Sequence, residues 1–345
     1  MKRVSVRLSI ILAFTAIMSS GCTSKEDAAE RYLESGKSFF EKENLDKARV
    51  EFRNALQIDP NYADAYYYLA LIAEQNQQWR NMYGFIQKAN QTDKSHIGVK
   101  IKLSQLLLLT NEVDKAKAEI DEILIKEPNN HQALLLRSSL LMLQKNYEEA
   151  SVQAEKALVA GAGKTEVLTL QATIAKKQEQ YDKAIVLIDE ALLVAEAKLP
   201  LYLFKIGLFD EIGDLVNQRQ QYELVTREYP DNRYFHISYA RLLVEQLELG
   251  KAEEVLQTFS GRIPEDSEIK LLIIDVVSRG SQVRANELLD TYVKSAPQDM
   301  TLAFFQIDKL YKAGRTEEVL ERLTAIKDDQ TEGEVNNNVP SRLKA

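Results

Sequence analysis

Small and apolar residues return along this chain on a beat of 34. Ala48, Ala116, Ala150, Ala184 and Ala252 stand 68, 34, 34 and 68 residues apart, and Pro60, Pro128, Pro230 and Pro264 stand 68, 102 and 34 apart. Between these markers, apolar positions recur every three or four residues, which predicts two amphipathic helices per period and no strands. Two antiparallel helices that pack on each other and on their neighbours must approach closely. A recurring alanine early in the second helix permits that approach. Proline cannot continue a helix, so a recurring proline marks the point just past the second helix.

With residue 29 as the first position, the first period carries Tyr32, Gly36, Phe39, Ala48, Phe52, Ala55 and Pro60. These occupy offsets 4, 8, 11, 20, 24, 27 and 32 and resemble the tetratricopeptide pattern, with Ser35 in place of the usual leucine at offset 7. Further units begin near residues 63, 97, 131, 165, 199, 233 and 267, and a degenerate ninth begins near 300. The third has Leu103, Leu107, Ala116 and Pro128, and the seventh has Tyr239, Ala240, Leu243, Ala252, Leu256 and Pro264. Other units are worn: Lys94 replaces the second proline, Gln218 replaces the sixth alanine, and the eighth unit is one residue short, with Pro297 at offset 31. The expected fold is all-α, a tetratricopeptide-repeat (TPR) solenoid of about eight to nine helix-turn-helix units over residues 29–328. An unbroken period predicts one continuous elongated domain.

The ends lie outside the period. Residues 1–21 place Lys2, Arg3 and Arg7 before the apolar run Leu8 to Met18 and then Ser19-Ser20-Gly21, the layout of a secretory signal too short to span a bilayer. Cys22, the only cysteine, follows directly and excludes an internal disulfide. Its setting resembles the lipobox of bacterial lipoproteins, although Ser19 stands where leucine is usual. That resemblance implies acylation of Cys22, and Thr23 after it implies the outer membrane, on the periplasmic face. Residues 22–28 are then a short lipidated tether, and 329–345, without apolar periodicity, read as a disordered tail.

Charge narrows the chemistry. The formal charge is −8, and removal of 1–21 deletes three cations and no acid, leaving −11. With no basic stripe, nucleic acid is not an expected partner. Gly161-Ala162-Gly163-Lys164-Thr165 ends like a phosphate-binding loop, but Leu158 stands at the first glycine and a helix precedes it, so it reads as a turn with Thr165 capping the next helix. His96, His131 and His236 fall in separate units and do not assemble a metal site. Trp79 reads as an inter-repeat packing residue, and Glu119 and Lys126 as outer-face residues. Neither enzymatic activity nor a cofactor is expected.

Function is therefore expected on the face of the first helices, which lines the groove in tetratricopeptide arrays. By that resemblance, offsets 5 and 9 supply Leu33, Lys37, Tyr67, Leu71, Ile101, Gln105, Leu135 and Ser139, then Thr169, Thr173, Leu203, Gly207, Ile237 and Arg241. An apolar row beside a thin polar one suits an extended peptide or an amphipathic helix. The opening repeats, above all KARVEFRNALQIDPNYADA, resemble the TPR lipoproteins associated with exosortase (PEP-CTERM) and exopolysaccharide export. The resemblance implies a scaffold that holds envelope proteins or extended peptides. Pilus-assembly lipoproteins share the signal-plus-repeat layout, and a scaffold for cell-wall enzymes is a third reading.

Overall fold

The computed structural model describes residues 25–324 and 326. The signal-like segment, Cys22 and the 329–345 tail lie outside the described residues. Among these residues every regular element is a helix, and the helices form two compact units, one ending at Glu196 and one starting at Ala197.

The first unit holds five helical hairpins. They are α1 (Lys25–Glu41) with α2 (Leu45–Ile58), α3 (Ala63–Gln75) with α4 (Trp79–Thr92), and α5 (Ile97–Leu109) with α6 (Val113–Lys126). Next come α7 (His131–Leu143) with α8 (Tyr147–Val159), and α9 (Lys164–Lys177) with α10 (Tyr181–Val194). The second unit holds α11 (Leu199–Ile212) with α12 (Leu215–Glu228), and α13 (Arg233–Glu245) with α14 (Leu249–Ser260). It continues through α15 (Ser267–Gly280) with α16 (Gln282–Ser295), then α17 (Met300–Lys312) and a helical stretch over 316–324. From α3 onward, each first helix starts within one residue of the position set by the period. Only α1 departs, reaching back to Lys25.

Alanine does what the spacing demands. Ala48, Ala116, Ala150, Ala184 and Ala252 are fully buried, as are Ala55, Ala157 and Ala191 one turn-pair later. In the first hairpin Phe52 lies fully buried against Leu33, Ala48 and Leu69. Gly36 faces it so closely that an added Cβ would sit 2.5 Å from the Phe52 ring, so the small residue is a condition of this packing. Similar clusters unite Ile101, Ile120, Ile123 and Leu136, and then Leu135, Ala154, Ala157 and Val167. Each core is shared between a hairpin and its successor, which is how nearest-neighbour repeats bury a surface no hairpin covers alone.

The turns repeat as strictly as the core. Glu43, Gln77, Asn111, Lys145, Glu179, Gly213 and Leu247 follow one another at intervals of 34, and all are left-handed, with φ from +56° to +69°. Each ends a first helix with the same pair of bonds. After α1, the Asn44 N–H donates to Phe39 O and the Glu43 N–H to Phe40 O, both at 2.9 Å, satisfying carbonyls the helix leaves open. Gly314 repeats this in the ninth unit. The eighth has no such residue: α15 and α16 are parted by Ser281 alone, which caps α16 by accepting from the Arg284 N–H. The missing residue of that unit is therefore the left-handed one.

Candidate functional site: the face of the first helices

The fourteen positions at offsets 5 and 9 divide into distinct groups. Leu33, Ile101 and Leu135 are buried in the core clusters, so they finish the packing. Tyr67, Leu71, Gln105, Ser139, Thr169 and Thr173 are half-buried. Three of their hydroxyls already serve their own helices: Ser139 donates to Leu135 O at 3.0 Å, Thr169 to Thr165 O at 2.7 Å, and Thr173 to Thr169 O at 2.8 Å. These three hydroxyls of the polar row are thus satisfied within their own helices.

At the N-terminal end the face becomes aromatic and charged. Lys37 pairs with Glu34 at 2.8 Å and lies over the Tyr68 ring, 5.8 Å from its centroid. Burial opposes the Lys37 charge, but the Glu34 hydrogen bond and charge outweigh it and hold the ammonium above its ordinary range. Tyr68 stacks on Phe52 and meets Tyr67 edge-on, and Tyr67 in turn packs on the His96 ring. His96 Nδ1 accepts from the Val99 N–H, capping α5, so Nε2 carries the proton and donates to Asp64 at 3.3 Å. That bond holds the Asp64 carboxyl below its usual range. Lys102 reaches back to Glu74 at 2.7 Å. Here cations are neutralised one for one, so the rings are the groups left to meet a ligand.

In the second unit, Leu203 is exposed and Gly207 half-buried. Ile237 and Arg241 converge with Val244, Leu272 and Val276 on a cleft of about 230 Å³ between α13 and α15. Asp275 and Arg279, paired at 3.0 Å, close one wall.

Two residues of this face escape the offset rule. Leu109 is 83% exposed and Leu143 is also exposed, and they share offset 13 on α5 and α7. Half-buried Leu108 and Met142 adjoin them in sequence. The signal for them is the sequence IGVKIKLSQLLLL of α5, which is apolar on every side although the core covers only one.

Three other readings require correction. Trp79 is 58% exposed at the start of α4 and belongs to none of the buried clusters described above. Thr165 lies inside α9, whose N-cap is Gly163, while left-handed Gly161 closes α8. Glu119 is not a neutral outer residue, because it holds the buried Lys100 ammonium at 2.5 Å, with Glu122 at 2.7 Å. Among the described residues no three potential metal ligands converge, and no helix is long and apolar enough to cross a membrane.

Comparison with known proteins agrees with this architecture. A model described as TPR repeat matches residues 36–77, and one described as tetratricopeptide repeat matches 101–165. No curated protein matches the sequence. Among solved structures, PilW, a widely conserved type IV pilus biogenesis factor, is 13% identical, with 60% of this chain and 96% of that chain covered and a TM-score of 0.52. A tetratricopeptide repeat protein from Parabacteroides merdae is 18% identical over 72% of this chain and 98% of that one, with a TM-score of 0.50. Pseudomonas aeruginosa PilF is 20% identical over 64% and 99%, with a TM-score of 0.47. At these identities the likeness concerns the fold. Among the described residues the fold is all-α, an array of helical hairpins of the tetratricopeptide-repeat kind.

Proposed function

We propose that the chain is a lipid-anchored periplasmic scaffold of the outer membrane that holds an extended peptide or a partner protein during envelope assembly or export. The observation that carries the binding reading is the exposed apolar row of α5 and α7. Leu109 and Leu143 stand in water at matching positions of α5 and α7, and half-buried Tyr67 and Leu71 lie on α3, the first helix that precedes them. Water-exposed aliphatic groups on a packed, rigid support suit side-chain insertion by a ligand. The anchor rests on the signal-like residues 1–21 and the lone Cys22. The pathway we assign, exopolysaccharide export linked to exosortase, rests on the resemblance of the opening repeats.

The test avoids the buried positions, because polar changes at Ile101 or Leu135 would unfold the core. A Leu71→Asn, Leu109→Asn, Leu143→Asn chain, checked for native helicity by circular dichroism, is compared with wild type in pull-downs from crosslinked envelopes. Loss of the captured partner is expected. Equal recovery by the folded variant would place binding elsewhere. Cys22→Ala is expected to release the protein from the membrane fraction, and a variant that stays acylated and bound would refute the anchor.

A further inference from the structure

A second apolar surface lies on the opposite members of the hairpins, independent of the face described above. Ile125, Val159 and Leu193 are spaced by 34 on the successive second helices α6, α8 and α10, and they are 79%, 85% and 84% exposed. One heptad earlier, Val152 and Val186 are exposed on α8 and α10. Val152 and Val159 border an open groove of about 610 Å³ whose lining includes Pro128 and Leu134. The strip has limits: the same offset is Gln57 and Gln91 before it and Arg227 after it. Aliphatic residues so exposed, confined to three adjoining units, mark a surface meant to be covered.

The charge around the strip selects what covers it. Helix α8 carries Glu148, Glu149 and Glu155 against Lys156, and α10 carries Asp182, Asp189 and Glu190 against Lys183, so each helix is net −2. A second copy docked face to face would set acid against acid, and an anionic lipid surface would be repelled. An amphipathic helix with Lys or Arg beside its apolar stripe meets both the aliphatic row and its acidic frame. We propose that the α6–α8–α10 face docks a basic amphipathic helix of a partner protein.

The probe is an 18-residue helical peptide of leucine and lysine, with a leucine and glutamate peptide of the same apolar stripe as control. Binding to the full chain is followed by fluorescence anisotropy, and a benzophenone side chain at position 159 reports the location. The Leu/Lys peptide is expected to bind and to crosslink from position 159, and the Leu/Glu peptide to do neither. Val159→Asn with Leu193→Asn, which leaves charge unchanged at exposed sites, is expected to weaken binding at least tenfold. Glu155→Gln with Asp189→Asn and Glu190→Gln is expected to weaken it and flatten its salt dependence. Equal binding of both peptides, or binding unchanged by the Asn pair, would overturn the proposal. So would sedimentation showing a wild-type dimer dispersed by the Asn pair, which would assign the strip to a second copy, or preferential binding of anionic vesicles.

Discussion

The two units share helix lengths, turns and period, yet they fill their interiors differently. In the first, the early position of the second helix is alanine in four of five hairpins, and its buried polar side chains are Lys100, Ser104 and Ser138. In the second, Gln218 takes the alanine position of the first hairpin while Ala252 keeps it in the next, and Gln221, His236, Glu253, Lys270 and Gln306 are buried as well. Some of these are matched: Arg284 grips Glu253 with two bonds of 2.9 and 2.6 Å, and Gln218 Nε2 donates to Asp210 at 3.1 Å. Other atoms are left open, since Gln218 Oε1, Gln221 Nε2, His236 Nδ1 and Gln306 Oε1 lack partners, against Ser104 Oγ and Arg137 Nε in the first unit. An unsatisfied buried polar atom costs about 1–3 kcal/mol, whereas alanine against an aromatic ring has no polar group to strand. One fold therefore tolerates two interiors, a dry one and a polar one, and the polar one should open first.

The largest effect should come from removing the ring on which the dry interior closes. Phe52→Ala is expected to cost the first unit about 3–5 kcal/mol and to leave amide protection over 197–324 unchanged, as read by hydrogen exchange with mass spectrometry. Equal loss in both units would show that they do not fill separate interiors. A reciprocal exchange is sharper. Ala150→Gln inserts the polar residue into the dry interior and should destabilise by about 1–3 kcal/mol. Gln218→Ala should change stability by no more than about 1 kcal/mol, since Asp210, which accepts from its amide at 3.1 Å, is solvent-exposed and regains water. Matched losses from the two swaps would erase the distinction.

Acid should separate the units as well. Burial pushes the His236 imidazole below its ordinary value of 6.5, against the pull of the Pro230 carbonyl on Nε2. The unfolded chain thus binds a proton that the folded chain resists. The stabilising contribution is complete above about pH 6.5 and is lost as pH falls towards the folded value. Protection over 197–324 should decline as pH falls below about 7, and His236→Gln should flatten that decline. An unchanged profile in the variant would clear His236.

The smallest effect should be common to both units, because the turns are. Glu179→Gly in the first and Leu247→Gly in the second relieve left-handed side chains at φ +60° and +62°. Each is expected to stabilise by about 0.5–1 kcal/mol in thermal unfolding. A gain confined to one unit would show that the turns, too, differ.

The helix starts were legible because the period is written in residues with geometric duties: alanine at the close approach, proline past the end. Exposure was less legible. Leu33, Ile101 and Leu135 share a groove offset with Tyr67, but whether that position faces water depends on the residues filling the hairpin behind it. Trp79 is large enough to suggest packing, yet it opens its helix on the solvent side. The division near residue 196 left no trace in the period, which crosses Ala195–Lys198 without losing count.

The one-residue turn at Ser281 shows where this chain tolerates an error of length. A residue lost inside a helix would rotate every later side chain by about 100°, taking core positions out of the core. Lost from the turn, it leaves α15 and α16 at fourteen residues each and starts the next repeat at Met300. The eighth unit thus works like an expansion joint: the discrepancy is absorbed between two helices and does not reach the next. Lineages of such a chain can drift in length at these points while each helix keeps its phase, and the neighbours on either side need no compensating change.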